Sequence, residues 1–314
     1  AIGARYNDEN GSNSGHVRVY QWNGTDTWTQ LGQDIDGEAA NDNSGFSVSL
    51  SSDGTILAIG ARWNTGNGTH SGHVRVYQYN GTDTWTQLGQ DIDGEAADDN
   101  SGWSVSLSSD GTIVAIGAPY NDGNGLDGGH ARVYEWNGTS WQKLGQDIDS
   151  EGAGDAFGIS VSINNLGNKV AIGAVYNNGV LSNSGHVRYY AFDGNNWVQQ
   201  GSDIDGEASG DSFGRSVSLN GSGSRLVVGA NGNDASGNVS GHVRLFSPCV
   251  SSANHIITSC GSNAWVDGNT YYSDTTIDFF YMSNTQGCDS VVSLDLTINP
   301  LPPVDFSSNT NLIS

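Results

Sequence analysis

Four stretches of this chain place carboxylates at relative positions 1, 3, 5 and 9. They are Asp34, Asp36, Glu38 and Asp42; Asp91, Asp93, Glu95 and Asp99; Asp147, Asp149, Glu151 and Asp155; and Asp203, Asp205, Glu207 and Asp211. Calcium takes six to eight oxygens from a flexible loop, and alternating acidic residues supply them. The spacing thus offers calcium as a cofactor. The same side chains have a second use, as turn caps and as partners for an arginine that recurs at Arg18, Arg75, Arg132, Arg188 and Arg244. Spacing leaves both readings open. A pair of carboxylates also serves glycosidases, but nothing sets one pair apart from four equivalent sets, so catalysis is not expected. Further turns, Asn7-Asp8-Glu9-Asn10-Gly11 and Asn121-Asp122-Gly123-Asn124-Gly125, resemble metal loops. Their counterpart Asn64-Thr65-Gly66-Asn67-Gly68 has lost its acid, and Asx-turns account for all three.

Other chemistry-bearing residues recur in the same way. His16, His73, His130, His186 and His242 occur once per repeat, too far apart to converge on one ion, so a structural hydrogen-bonding role is expected. Trp22, Tyr79, Trp136 and Phe192, with Trp28, Trp85, Trp141 and Trp197, read as packing aromatics. Tyr6, Trp63, Tyr120 and Tyr176 open Asn/Gly-rich loops and are the candidate ligand-binding residues, suited to stacking on sugars. No nucleophile elbow, phosphate-cradling loop or paired-cysteine metal site is present.

The elements that position these residues follow from a repeat. Ala1-Ile2-Gly3-Ala4 returns as Ala58-Ile59-Gly60-Ala61, Ala115-Ile116-Gly117-Ala118, Ala171-Ile172-Gly173-Ala174 and Val227-Val228-Gly229-Ala230, at steps of 57, 57, 56 and 56 residues. Such a period marks a repeat architecture. Within one copy, Phe46-Ser47-Val48-Ser49-Leu50 alternates as a strand does, and Asp53-Gly54 signals a hairpin. Ile56 to Ala61 is almost wholly apolar or small, which fits a strand buried on both faces. His73-Val74-Arg75-Val76-Tyr77 is a third strand, Asn80-Gly81 a second hairpin, and Trp85-Thr86-Gln87-Leu88 begins a fourth. The shorter steps reflect one residue lost at the hairpin tip Asn137-Gly138-Thr139-Ser140. Four antiparallel strands per unit predict a propeller blade, so the expected fold is all-β.

The chain has 314 residues, with 34 Asp+Glu against 11 Lys+Arg and a formal charge of −23. That balance argues against nucleic acid and anionic membranes as partners. No apolar run is long enough to cross a bilayer as a helix. The chain opens inside a repeat, without an initiator Met, and reads as a fragment with blades missing upstream. Its three cysteines all follow residue 248. Cys260 and Cys288 share one short β-rich tail and are expected to form a disulfide, which suits an oxidising, extracellular setting. Cys249 is left over.

Asp155-Ala156-Phe157-Gly158-Ile159-Ser160-Val161-Ser162 with Val170-Ala171-Ile172-Gly173-Ala174 resembles an FG-GAP repeat, and so does Asp211-Ser212-Phe213-Gly214-Arg215-Ser216-Val217 with Leu226-Val227-Val228-Gly229-Ala230. The first two copies instead read Gly45-Phe46 and Gly102-Trp103, an apparent inversion of Phe-Gly. The resemblance implies the seven-bladed propeller of integrin α subunits and bacterial surface proteins. Integrin-type calcium loops share the 1, 3, 5, 9 spacing, with glycine at position 6. Here glycine stands at position 4 (Gly37, Gly94, Gly206, with Ser150 in the third copy), and the acidic turn lies between blades rather than within one. Residues 253–299, with Cys260, Trp265-Val266-Asp267-Gly268-Asn269-Thr270-Tyr271 and Gly287-Cys288-Asp289-Ser290-Val291-Val292-Ser293-Leu294, are similar to small β modules of giant Bacteroidetes-type secreted adhesins. That resemblance implies export by the type IX route. The expected organisation is propeller blades over 1–247, a small β-sandwich-like module over 248–299, and a Pro-rich linker leading to a further module over 300–314. The implied function is non-enzymatic adhesion at the cell surface. The partner would be an extracellular protein, a glycan, or copies of the chain in a filament.

Overall fold

The computed structural model describes residues 1–179, 181–247, 253–260, 263–264, 269–283 and 289–299. All regular elements among them are strands, and none is a helix long and apolar enough to cross a membrane. The chain divides after Pro248 into two compact units.

The first unit is a series of antiparallel sheets, one for each repeat after the first, whose hairpin Tyr20–Trp22 with Trp28–Gln30 stands as a separate pair beside its three-stranded sheet. In the second sheet, Ser47–Leu50 pairs with Ile56–Ala61, which pairs with His73–Tyr79. The third and fourth sheets repeat this order. The expected fourth strand is split: Trp85–Gln87 pairs with the outer half of His73–Tyr79, and Ile92–Asp93 pairs with its start, opposite Val74 and His73. Positions 2 and 3 of each acidic turn are therefore strand rather than loop. The expected propeller-blade architecture is what the chain forms.

Ile56–Ala61 is buried along its whole length, and its faces serve different neighbours. Leu57 and Ile59 pack with Val17, Val19 and Ile35 of the first sheet; Ala58 packs with Val114 and Ile116 of the third. Each core layer is thus shared by two successive sheets. Serines complete the seam. Ser47 Oγ donates to the Gly102 carbonyl at 2.7 Å, Ser104 Oγ to Gly158 at 2.8 Å and Ser160 Oγ to Gly214 at 2.7 Å. The glycine of the Ile-Gly-Ala motif is required by the same approach. A Cβ on Gly60, Gly117 or Gly173 would collide with the carbonyl of Gly102, Gly158 or Gly214 in the following sheet.

The apparent Phe-Gly inversion is a substitution in fixed register. Ser44 N donates to Ser14 O at 2.9 Å, Ser101 N to Ser71 O at 2.9 Å and Phe213 N to Ser184 O at 2.9 Å. Ser44, Ser101, Phe157 and Phe213 are thus equivalent, and the glycine after each has positive φ. Phe157 and Phe213 are fully buried. In the first two copies serine takes that place, and the aromatic ring moves two residues on, to Phe46 and Trp103.

In the second unit, Asp289–Asn299 lies between Ala253–Cys260, parallel to it, and Thr275–Ser283, antiparallel to it. Asn263–Ala264 and Thr270–Tyr271 form a separate antiparallel pair. Leu294 and Leu296 are buried while Asp295 and Thr297 are exposed, the alternation of a one-sided strand. Cys249, Cys288 and the side chain of Cys260 lie outside the described residues, as does the 300–314 segment.

Candidate functional site

The four acids of one turn point to four different partners. Position 1 bonds within its own sheet. Arg18 Nε and Nη2 donate to Asp34 at 2.9 and 2.7 Å, Arg188 Nε to Asp203 at 2.9 Å, Gln87 Nε2 to Asp91 at 2.7 Å, and Lys143 Nζ to Asp147 at 2.9 Å. The Arg18 hydrogen bond holds the Asp34 carboxyl below the usual carboxylate range, and the His73 hydrogen bond does the same for Asp91. Position 3 gives its backbone away: Arg75 Nη2 donates to Asp36 O and Arg132 Nη2 to Asp93 O, both at 2.8 Å, and Arg244 Nη1 donates to Asp205 O at 3.4 Å. Burial pushes the carboxyls of Asp149 and Asp205 up.

Position 5 crosses to the next sheet. Glu38 lies 3.5 Å from Arg75 Nη1 and 3.9 Å from His73 Nδ1; Glu95 lies 3.2 Å from Arg132 and 4.0 Å from His130. Glu151 pairs with Arg188, and Glu207 with Arg244 at 3.5 Å. Position 9 is buried. Asp42, Asp99, Asp155 and Asp211 each accept from a backbone N–H of their own turn and from Asn64, Asn121, Asn177 or Asn233 of the next sheet, at 3.0–3.1 Å for the asparagine Nδ2. Those asparagines in turn accept from Gly66, Gly123, Gly179 and Ala235 N–H, which makes the Asx-turns.

The 1, 3, 5, 9 residues therefore do not surround a common point, and the calcium expectation for them finds no cage. Glycine at position 4 has another cause. A Cβ on Gly37, Gly94 or Gly206 would collide with the carbonyl of Ser14, Ser71 or Ser184. The third copy exchanges the two: Ser150 takes position 4, Gly128 faces it, and a Cβ on Gly128 would strike Ser150 Oγ.

What does converge is a triad that sequence spacing concealed. Glu38, His73 and Asp91 lie within 4.8 Å of one another, as do Glu95, His130 and Asp147, and Glu151, His186 and Asp203; in the first sheet Glu9 joins His16 and Asp34. These groups are close enough to hold a metal ion. In all four a guanidinium already contacts at least one acid, which reduces the pull on a cation. The histidines are 1, 2 and 0 % exposed at His73, His130 and His186. Burial drives His130 down to about 4 and lowers His186 too, so these two rings are neutral at neutral pH.

The packing tryptophans also cross between sheets. Trp85, Trp141 and Trp197 Nε1 donate to Leu31, Leu88 and Leu144 carbonyls at 2.8–2.9 Å.

The four loop aromatics occupy equivalent turns. Tyr6 and Tyr176 are 56 and 48 % exposed, while Trp63 and Tyr120 are half-buried. They do not stand alone. The Arg62 guanidinium lies over Phe46, Trp103 and Trp63 at 4.0, 4.4 and 4.5 Å from the ring centroids. Arg5 lies over Tyr6 at 4.6 Å and Phe46 at 5.0 Å, and Trp103 meets Tyr120 edge-on at 5.4 Å. Phe46 and Trp103 were read only as an inverted Phe-Gly, and Arg5 and Arg62 were not singled out by motif. The arginines' signal was disagreement between copies: the residue after Gly-Ala is Arg5, Arg62, Pro119, Val175 and Asn231 in turn.

No curated protein matches the chain. Among solved structures, it is similar to a candidate 6-phosphogluconolactonase from Bacteroides uniformis (10% identity, TM-score 0.45, 91% of this chain and 66% of that one). It is also similar to the tricorn protease (10% identity, TM-score 0.37, 63% of this chain and 20% of that one). The chain thus spans just under two thirds of the first protein and a fifth of the second. Residues 35–77, 92–134 and 202–246 match the family model of the FG-GAP repeat, so the chain carries at least three FG-GAP repeats in its propeller sheets.

Proposed function

We propose that this chain is a non-enzymatic interaction module of a secreted surface protein, binding an extracellular partner through its propeller loops. One observation carries the reading. The repeated carboxylates, histidines and strand arginines bond to one another across successive sheets, and this leaves the Tyr6–Tyr176 loops and their arginines as the exposed surface that differs between copies. Weak contacts from several loops on one scaffold add through effective concentration. Export by the type IX route and a disulfide between Cys260 and Cys288 belong to the same proposal, resting on the resemblance of residues 253–299 to adhesin modules.

The test is binding of the full chain to arrays of extracellular glycans and surface proteins, beside a Tyr6→Ala/Tyr176→Ala variant with matched unfolding. Binding that the variant loses supports the module. Turnover of a bound sugar or lactone would overturn the non-enzymatic reading. Ordered polymers of the chain alone, seen by electron microscopy and indifferent to the loop variant, would replace it with a filament subunit.

A further inference from the structure

In a chain of charge −23, an arginine side chain without a carboxylate needs a reason. Arg18, Arg75, Arg132, Lys143, Arg188 and Arg244 each have an acid within 4.0 Å. Arg5 and Arg62 do not. Among the described residues, neither guanidinium has an acidic partner or a side-chain hydrogen bond, and the Arg62 Nε–H is buried without any acceptor. They also lie near each other, both against the Phe46 ring. Two like charges side by side, one with a desolvated and unsatisfied donor, are an arrangement that an anion completes. Arg215 stands at the position equivalent to Phe46 and Trp103, exposed and also without an acid.

The rest of the cluster narrows the ligand. Phe46, Trp63 and Trp103 surround the Arg62 guanidinium carbon at 4.0–4.5 Å from their ring centroids, and its donors have no side-chain acceptor among the described residues. Such unpaired donors suit a carboxylate, which guanidinium recognises through paired hydrogen bonds. Exposed Tyr6 beside Arg5 adds an aromatic face on which a sugar ring can lie. The net charge of −23 disfavours a polyanion. The structure of the repeat contributes a further argument. In the first two copies the buried Phe position is given up to Ser44 and Ser101, whose hydroxyls are buried without partners. The aromatic ring stands instead beneath Arg62, at a cost to the core.

We infer that Arg5, Arg62, Phe46 and the flanking Tyr6 and Trp63 form a binding site for an acidic sugar bearing a single carboxylate. The inference rests on the reading of the chain as an interaction module and names the ligand class of that surface.

The test is titration of the full chain with glucuronate, glucose and acetate, followed by NMR or calorimetry. Glucuronate is expected to bind about tenfold more tightly than either glucose or acetate, and Arg62→Gln to weaken it by about tenfold, as the loss of paired charge-assisted hydrogen bonds implies. Arg225→Gln, an arginine outside the cluster and also without an acidic partner, is expected to keep wild-type affinity. Arg5→Gln is the second variant should Arg62→Gln fail to fold. Equal binding of glucose would overturn the carboxylate, and equal binding of acetate would overturn the sugar. Retained glucuronate binding in both arginine variants would overturn the site. Array binding that survives Arg62→Gln while glucuronate is silent would leave the interaction module standing and remove this inference alone.

Discussion

In the third sheet Ala131 and Val133 are fully buried; in the fifth, the equivalent Val243 and Leu245 are 70 and 60 % exposed. The two strands, His130–Trp136 and His242–Phe246, share the same His-x-Arg pattern and the same antiparallel pairing. The difference lies outside them. The third sheet packs against Phe157, Ile172 and Trp197 of the fourth, whereas the outer face of the fifth meets no further sheet of the repeat among the described residues. The first sheet gives the mirror case: Trp28 is 64 % exposed, while Trp197, held by the Leu144 carbonyl, is 3 % exposed. Burial in this fold is thus a property of neighbours, and stability is a sum of seams between sheets.

Each seam can be tested by a substitution made twice, once inside the array and once at its edge. Trp197→Ala empties a filled pocket and is expected to cost about 4 kcal/mol, whereas Trp28→Ala costs under about 1 kcal/mol, both read by denaturant unfolding. Comparable losses at the two sites would break the comparison. Gly117→Ala drives a methyl into the Gly158 carbonyl, with an expected loss of about 3 kcal/mol. At Gly229 the added Cβ meets only Ser216 of its own sheet, so thermal unfolding of that variant should shift far less.

A pH series sharpens the same contrast. His130 has a folded pKa of about 4, below its unfolded value, because burial disfavours the charged ring. The unfolded chain therefore takes up the proton first, and stability falls as pH drops from about 6.5 towards 4. Between pH 7 and pH 5 this one group removes about 2 kcal/mol, and His130→Gln should flatten that part of the profile. The smallest effect concerns metal. Because arginines already neutralise the acidic turns, a calcium chelator is expected to leave the unfolding midpoint unchanged; a clear fall would restore calcium to those turns.

Strands and sheets were legible because their signals are local. The alternation of Ser47–Leu50 and the continuous apolar run Ile56–Ala61 need no partner to be read. The splitting of the fourth strand at Ile92–Asp93 was hidden, because two residues carry no period. Of the two readings left open for the carboxylates, the arginine partners were legible but their distance was not: four acids within nine residues suggest one site, yet Glu38 reaches His73 and Arg75 some 35 residues later. A side chain's partner in the next repeat leaves no trace in its own spacing. The loop aromatics Tyr6, Trp63, Tyr120 and Tyr176 were found because they open turns. Arg5 and Arg62 were passed over, because a search for what repeats discards the positions where copies differ.

The exchange of Ser150 and Gly128 bears on how such an array can change. Tandem copies this alike invite unequal crossing-over between genes. A junction falling between residues 128 and 150 gives two products: one joins a serine to a serine where only one Cβ fits, and the other joins glycine to glycine without a clash. Breakpoints elsewhere in the repeat carry no such penalty. The pair therefore filters recombination in one direction only: third-copy sequence can enter a hybrid with its glycine but not with its serine beside a second one.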